Sequence, residues 1–443
     1  MATRKAIVVG SGAAGLTAGW RLAQAGWQVE LLGPEAQVGG LLAPQPVAGW
    51  PCDLGAHRLH APALQVPAVA ELAQRIPLEK RRRRGLVLVG GRSFNYPLRL
   101  TDLAQGLGLR GGGELLGSLV HARLSGRHWE RQRAPEPQSD IGFGEFVRSR
   151  SGEAAYRAFY RPYADKVWGL DPAELSQSCA KQRVSSSAPW QLLWRPQRGE
   201  FLHPRGGFGA WMDGLAQLAT QSGARVTLCQ LSLQHGDLAN LDADAVVHTG
   251  HLSAALTPDQ QLAAQLDHRG LFLLWLVVAD GQPGPVDTWY TPEAQFWFGR
   301  VSEVGNFLGH PHGRGRVLCV EIPQGRHAAD RDFTGDLGEL RRQLAQAKIL
   351  SREAEVSEVV QRFLPAVYPL FRRGWLPRWR LALRHACASG RLWPAGRQGL
   401  WLHCNLDHAM ASAEDAVRHV ASGGASTQWP ELAERWSEVR VRD

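Results

Sequence analysis

The sequence predicts an interleaved two-domain α/β protein, and three observations carry that prediction. The chain opens on a strand, a glycine turn, a helix and a second strand. A helix–strand–strand pattern returns from Gly206, and residues 268–325 alternate apolar and polar stretches with turns. A parallel sheet assembled from separated segments, with a β-rich second domain between them, accounts for all three.

The opening unit says most. Ala6-Ile7-Val8-Val9 reads as a buried strand running into Gly10-Ser11-Gly12-Ala13-Ala14-Gly15, followed by a helix from Leu16 to Ala25. Gly10 allows the tight turn, Gly12 lets the backbone approach a pyrophosphate, and Gly15 lets helix pack on strand; the phosphates then face a helix N-terminus. A second strand, Gln28 to Leu32, completes the unit, which reads as dinucleotide-binding rather than as an ordinary glycine turn.

Residues 1–60 continue that unit. Residues 61–200 look helical and loop-rich, broken by Gly111-Gly112-Gly113 and by the polar stretch Arg131 to Ser139, which reads as a surface loop. The one dense basic run, Lys80 to Arg84, leads into the strand-like Leu86-Val87-Leu88-Val89. A solvated lead-in to a strand explains the run plainly, and an anionic substrate or a membrane surface is the alternative. Nucleic acid is disfavoured, because no binding motif or aromatic–basic interleaving accompanies it. Further on, Trp211 to Ser222 reads as an amphipathic helix, Ala224 to Leu228 and Ala245 to Thr249 as strands, and Leu337 to Lys348 as a helix. A long helix from Ala409 comes last.

Composition sets the outer bounds. With 443 residues, 44% hydrophobic and 21% charged, the chain can hold two or three domains of ordinary globular character. Its longest apolar run, Leu271 to Ala279, has strand length and falls well short of the roughly 20 residues a membrane helix needs. Met1 leads almost directly into the first strand, without space for a signal peptide, so the cytoplasm is the expected location. Six scattered cysteines with no C-x-x-C pair favour reduced thiols over a zinc site or a disulfide framework. The seventeen tryptophans include Trp190, Trp194, Trp289 and Trp297, which form either an aromatic wall for a planar substrate or ordinary core.

Several motifs together resemble the flavoprotein superfamily of protoporphyrinogen oxidase, the amine oxidases and UDP-galactopyranose mutase. The glycine fingerprint runs on to Val38-Gly39-Gly40. Asp53-Leu54-Gly55-Ala56-His57-Arg58-Leu59-His60 is similar to the mutases' G-x-H-x-x-H stretch, and Tyr163, Lys166, Trp168 and Gly169 to their Y-x-x-K-x-W-G block. Pro204-Arg205-Gly206-Gly207-Phe208-Gly209 and Ala366-Val367-Tyr368-Pro369 have counterparts. So does the closing Gly396-Arg397-Gln398-Gly399 with Asn405-Leu406-Asp407-His408-Ala409.

The resemblance implies a Rossmann-like FAD-binding domain of the glutathione-reductase type, interleaved with a mixed α+β substrate domain. It divides the chain into FAD-binding parts at 1–75, 204–265 and 376–443, with substrate parts at 76–203 and 266–375. FAD would lie with its pyrophosphate at Gly10, Gly12, Ala13, Ala14 and Gly15, its ribityl chain past Gly39, Gly40 and Leu41, and its adenine beside Val226. Gly396, Arg397, Asp407, His408 and Ala409 would meet pyrophosphate and flavin, where a helix N-terminus favours an electron-rich ring edge. His57, His60, Trp168 and His403 are the candidate catalytic positions. A histidine titrates near neutrality and suits a proton relay; His403 stands where the mutases carry a tyrosine.

There are departures. The family's second strand ends in a glutamate that binds the adenosine ribose, and Gly33 occupies that position; Glu35 substitutes from the following loop, or backbone and water hold the ribose. The mutases' diphosphate-reading arginine is missing after Lys181-Gln182-Arg183, although Arg183 and Arg195 supply some charge. The resemblance therefore implies an FAD-dependent oxidoreductase that takes a hydride from a C–N or C–C bond of a small molecule, with oxygen or another compound as acceptor. A redox-neutral sugar mutase and a scaffold without turnover are the alternatives.

Overall fold

A computed structural model describes residues 4–96, 111–115, 117–122, 140–183, 199–229, 233–279, 283–309 and 315–441. In chain order its main elements begin with β1 (Lys5–Val9), α1 (Ala13–Gln24), β2 (Gln28–Gly33), β3 (Gln45–Val47) and β4 (Trp50–Cys52). There follow β5 (Leu78–Arg82), β6 (Gly85–Val89), β7 (Arg92–Tyr96), α2 (Arg161–Trp168), β8 (Glu200–Pro204), α3 (Gly207–Gln221), β9 (Arg225–Leu228) and β10 (Ala245–His248). The remainder holds β11 (His268–Val278), β12 (Thr288–Tyr290), β13 (Arg300–Glu303), β14 (Arg316–Gly325), α4 (Leu337–Gln346), β15 (Val356–Pro369), α5 (Trp375–Cys387), β16 (Leu392–Pro394) and α6 (Leu406–Ala421).

Five strands make a parallel sheet in the order β16-β10-β1-β2-β9, drawn from the beginning, middle and end of the chain. Ala6, Val8, Leu31 and Val247 are fully buried in it, as expected of strands covered on both faces. Helix α1 lies between α3 and α6 against this sheet. The sequence reading starts this helix at Leu16; it begins at Ala13, so Ala13 and Ala14 already belong to its first turn.

A seven-stranded sheet follows the order β15-β11-β14-β13-β12-β6-β7. Along β11 the side chains alternate faces. Phe272, Leu274, Leu276 and Val278 pack with Leu340 and Leu344 of α4. Leu271, Leu273, Trp275 and Val277 instead join Val47 of β3, Trp50 and Cys52 of β4, and Leu54 just after it. The second sheet thus turns one face toward the nucleotide side of the molecule.

The reading of 61–200 as helices and loops needs correction. Besides the strand read at Leu86–Val89, which is β6, that stretch holds β5 and β7, and β6–β7 extend the large sheet. Gly90 and Gly91, at φ +61° and +70°, make the two-residue turn between them; such a Gly-Gly pair is a hairpin signal. Gly111 to Gly113 belong to a helical segment, residues 111–115, rather than interrupting one. Arg131 to Ser139 lie outside the described residues.

Candidate functional site

Backbone alone shapes the first part of the site. Helix α1 begins at Gly12 with no side chain capping its first turn. Gly39 N–H donates to Ser11 O at 2.8 Å, which brings Gly39 and Gly40 alongside Gly12. From the other side Gly396 closes in: a Cβ there would stand 2.4 Å from Cβ of Ala14. Gly15 is equally constrained, since its Cβ would lie 1.8 Å from Gly10 O. The result is an uncapped helix N-terminus at Ala13–Ala14, walled by main chain, which is what a diphosphate requires. Leu41 sits in the 3-10 turn after Gly40, and Val226 pairs with Leu31 on the outer strand β9.

Gly33 ends β2 where an acidic residue was sought, and the reason is steric. A Cβ at Gly33 would meet Leu228 at 2.5 Å and the Ser11 side chain at 2.8 Å. No carboxylate fits there. Glu35, partly exposed in the bend that follows, is the nearby acid.

The C-terminal part gathers around α6. Asn405 caps this helix, and its own N–H donates to His408 Nδ1 at 3.3 Å. His408 Nε2 lies 3.8 Å from Asp407. Ala409 is buried in the first turn, and Ser412 Oγ accepts the Gly396 N–H at 2.9 Å, tying α6 to the glycine turn. Arg397 donates to the carbonyls of Cys404 and Val367, both at 2.8 Å. Its guanidinium holds the loop between Leu400 and Asn405 to β15.

Between these parts runs the loop from Asp53 to His60. Asp53 is buried, accepting the Phe208 N–H at 3.0 Å and facing His203 Nε2 at 3.1 Å. Gly55, at φ +99°, brings its backbone against Glu321. His57 packs edge-on to Phe208, and its Nε2 is buried with no hydrogen-bond partner among the described residues. Burial pushes its pKa down, with Asp53 opposing and Arg300 adding to the shift, so the ring is held neutral. His60 is half-buried just before the 3-10 turn Ala61–Gln65.

Opposite this loop stands the large sheet. Arg300 of β13 and Glu321 of β14 are register partners and form a two-point ion pair, Nε to Oε1 at 2.6 Å and Nη2 to Oε2 at 2.7 Å. Burial alone would lower the Arg300 pKa, but Glu321 raises it well above the ordinary value. Nothing in the sequence pattern singled out this pair, because Arg300 opens a short, mostly polar strand and Glu321 is one charged position in a largely apolar one.

Two candidate catalytic residues are corrected. Trp168 is 1% exposed, packed on Phe143 and Tyr163, and offers no surface to a substrate. His403, 3% exposed, packs on Phe371 and Tyr368. Trp289 and Trp297 belong to the cluster on the far face of the large sheet, so they form no wall here. Trp190, Trp194, Arg195 and the Arg183 side chain lie outside the described residues. Among the described residues Lys166 makes no salt bridge; it donates to the carbonyls of Thr291 (2.6 Å), Phe298 (3.0 Å) and Glu293. Burial pulls its pKa down to about 7. Cys404 is an unreactive thiol, pushed up to about 12 by burial.

An uncapped dinucleotide cradle beside a histidine-bearing loop defines a flavoprotein of the two-domain type, and FAD is its cofactor. The chain belongs to the flavin-containing amine oxidoreductases, whose family model matches residues 13–271. Coproporphyrinogen III oxidase of Mycobacterium leprae (strain TN) is 29% identical over 197 residues. That match covers 42% of this chain and 42% of that enzyme, so the chain aligns with less than half the length of this curated relative. Among solved structures, reduced UDP-galactopyranose mutase superposes with a TM-score of 0.81 at 19% identity, covering 100% of both chains. A protein described as a protoporphyrinogen oxidase from Exiguobacterium sp. 255-15 gives 0.73 at 18% identity, with 96% and 100% covered. Cyclohexylamine oxidase from Brevibacterium oxydans IH-35A gives 0.67 at 15%, with 95% and 99% covered. At these identities the structures establish the shared fold.

Proposed function

We propose that the protein is an FAD-dependent oxidoreductase acting on a C–N or C–C bond of a small molecule held between the 53–60 loop and the large sheet. The flavin, when bound, supplies hydride acceptance, and oxygen or another compound reoxidises it. The family membership and the relative named an oxidase support this reading.

The observation that carries it is His57: a ring whose pKa is lowered by burial and whose buried Nε2 has no partner among the described residues, on the loop between the glycine cradle and the sheet. An unpaired buried polar atom is costly, so it is retained where a bound group pairs with it. Neutral Nε2 can accept the proton that leaves the substrate as the hydride departs. Phe208 fixes the ring edge-on, and Asp53 anchors the loop to α3. Glu35 serves the ribose, and the backbone at Gly12, Gly39–Gly40 and Gly396 the diphosphate.

The test is anaerobic mixing of the yellow FAD-loaded protein with amines and with porphyrinogens. Loss of colour on mixing, slowed at least tenfold in His57→Gln, is the expected result. Turnover that appears only after prior reduction by dithionite, with no colour change on mixing, would overturn it in favour of redox-neutral isomerisation.

A further inference from the structure

The basic run Lys80 to Arg84, which the hydride chemistry leaves unused, divides along β5. Lys80 and Arg82 are exposed, while Glu79 and Arg81 point to the other face. There they line an open cleft of about 400 Å³, whose described lining includes no residue of the glycine cradle or of the 53–60 loop. Trp50 and Pro51 of β4 and the turn before α3 form one side. Leu308 and Gly309, at the end of the short helix Val304–Leu308 that follows β13, form the other. Gly207 permits the close approach of the two sides, since a Cβ there would stand 2.8 Å from Leu308 Cδ2. Gly309, at φ +76°, brings its backbone against Arg81: a Cβ there would lie 3.4 Å from Nη2.

Hydrogen-bond donors outnumber acceptors in this cleft. Its one carboxylate among the described residues is Glu79, and both oxygens are taken. Oε2 accepts from Arg81 Nη2 at 2.8 Å, and Oε1 from Arg205 Nε at 3.0 Å. Two guanidinium groups thus share one carboxylate, which leaves a net positive charge and most of their N–H groups free. Arg81 Nε is buried with no hydrogen-bond partner among the described residues. Trp50 is 2% exposed, and its indole Nε1 is likewise without one. At the rim Gly206 is the N-cap of α3 and brings no side chain to it, so the positive end of a fifteen-residue helix stands there. Asp53 meets part of that need from the loop side by accepting the Phe208 N–H. Buried donors of this kind are costly unless an acceptor completes them.

We propose that this cleft binds a small organic anion, with a phosphate or carboxylate head on Arg81 and Arg205 and an apolar body along Pro51 and Leu308. Planar guanidinium donors match either head in two-point geometry. The volume falls within the roughly 300–1,000 Å³ usual for small-molecule sites. Because its walls come from the nucleotide side and from the helix after β13, the bound anion bridges the two and stabilises their docking. The site is separate from His57 and holds its ligand whichever bond the flavin oxidises.

Calorimetric titration of the FAD-loaded protein, its diphosphate cradle already filled, with phenyl phosphate, benzoate and neutral benzamide tests it. At least one of the two anions is expected to bind ten or more times more tightly than benzamide, and which one does so tells phosphate from carboxylate. The same anion should raise the thermal unfolding midpoint. The Arg205 side chain is 72% exposed, so Arg205→Gln should fold normally. It should weaken that anion at least fivefold and remove the thermal shift, and Arg205→Lys should restore part of both. Arg81→Gln should weaken the anion to a similar degree, with benzamide binding unaltered throughout. Equal binding of anions and benzamide, absence of heat with all three, or unchanged anion affinity in both glutamine variants overturns the site.

Discussion

His203 Nε2 lies 3.1 Å from Asp53 Oδ2, while its Nδ1 lies 3.1 Å from the Pro204 carbonyl oxygen. Both ring nitrogens therefore lie within hydrogen-bond distance of an oxygen, one on each side of the ring. His203 is fully buried. This pair fastens the start of the 53–60 loop to β8, and the Phe208 N–H fastens it to α3. His203→Phe keeps the ring volume but leaves Asp53 Oδ2 without its partner. A loss of about 1–3 kcal/mol in unfolding free energy is expected, read by urea denaturation. His57 should shift with the loop, so FAD affinity should fall in the same variant. An unchanged denaturation midpoint would exclude the clamp.

Ser11 and Leu228 fill the space beside Gly33. Placing an acid there, by Gly33→Glu, should therefore weaken FAD binding rather than improve it. Glu35→Gln removes the one nearby charge, and about a tenfold rise in the FAD dissociation constant is expected, equivalent to about 1.4 kcal/mol. Fluorescence titration of the apoprotein with FAD measures both. Tight binding in Gly33→Glu would show that β2 adjusts, and unchanged binding in Glu35→Gln would assign the ribose to backbone and water.

Two buried histidines set a pH dependence. Burial lowers the pKa of His248 to about 4 and that of His268 to about 3. Both folded values lie below the ordinary value of about 6.5, so under acid the unfolded chain binds protons that the native one refuses. The contribution of these two histidines should be constant above about pH 6.5 and fall as pH drops from there toward 4. Each histidine contributes up to about 1.4 kcal/mol per pH unit within that window. Denaturation at pH 7.5 and pH 5 reads the effect, and His268→Gln should flatten it. A variant as acid-sensitive as the parent would assign the dependence to other groups.

The nucleotide side was legible because its information is local. Gly10 to Gly15, flanked by four apolar residues and a helix, specify a turn by conformation alone, and the strands at 224–228 and 245–249 read correctly from short apolar runs. The wall opposite was not legible. Arg300 and Glu321 are twenty-one residues apart in sequence and meet only through β13–β14 register. Trp168 and His403 misled for a related reason: a motif gives residue type and neighbourhood, whereas burial depends on Phe143 and Phe371 packing in from other elements. His57 lay between these cases. Its loop was visible, but its orphaned Nε2 required coordinates.

Arg58 crosses from the same loop to the large sheet, donating to Asp287 at 3.0 Å with both side chains 4% exposed, and also to Thr288 Oγ1. The rings of Phe201 and Phe307 lie within about 5 Å of its guanidinium carbon. Asp287 in turn accepts the Arg84 N–H at 2.6 Å, so the end of the basic run at 80–84 is tied into this strut. Removing one partner of a buried pair costs more than removing both, because the survivor stays charged and desolvated. Arg58→Met should therefore lose about 3–5 kcal/mol. Adding Asp287→Asn, which keeps an acceptor for Arg84, should recover part of that loss. Because the strut joins the two halves that enclose the His57 loop, the single variant should also bind FAD more weakly while the double variant regains affinity. A double-mutant cycle by denaturation measures the coupling, and additive losses would show that the bridge contributes nothing of its own.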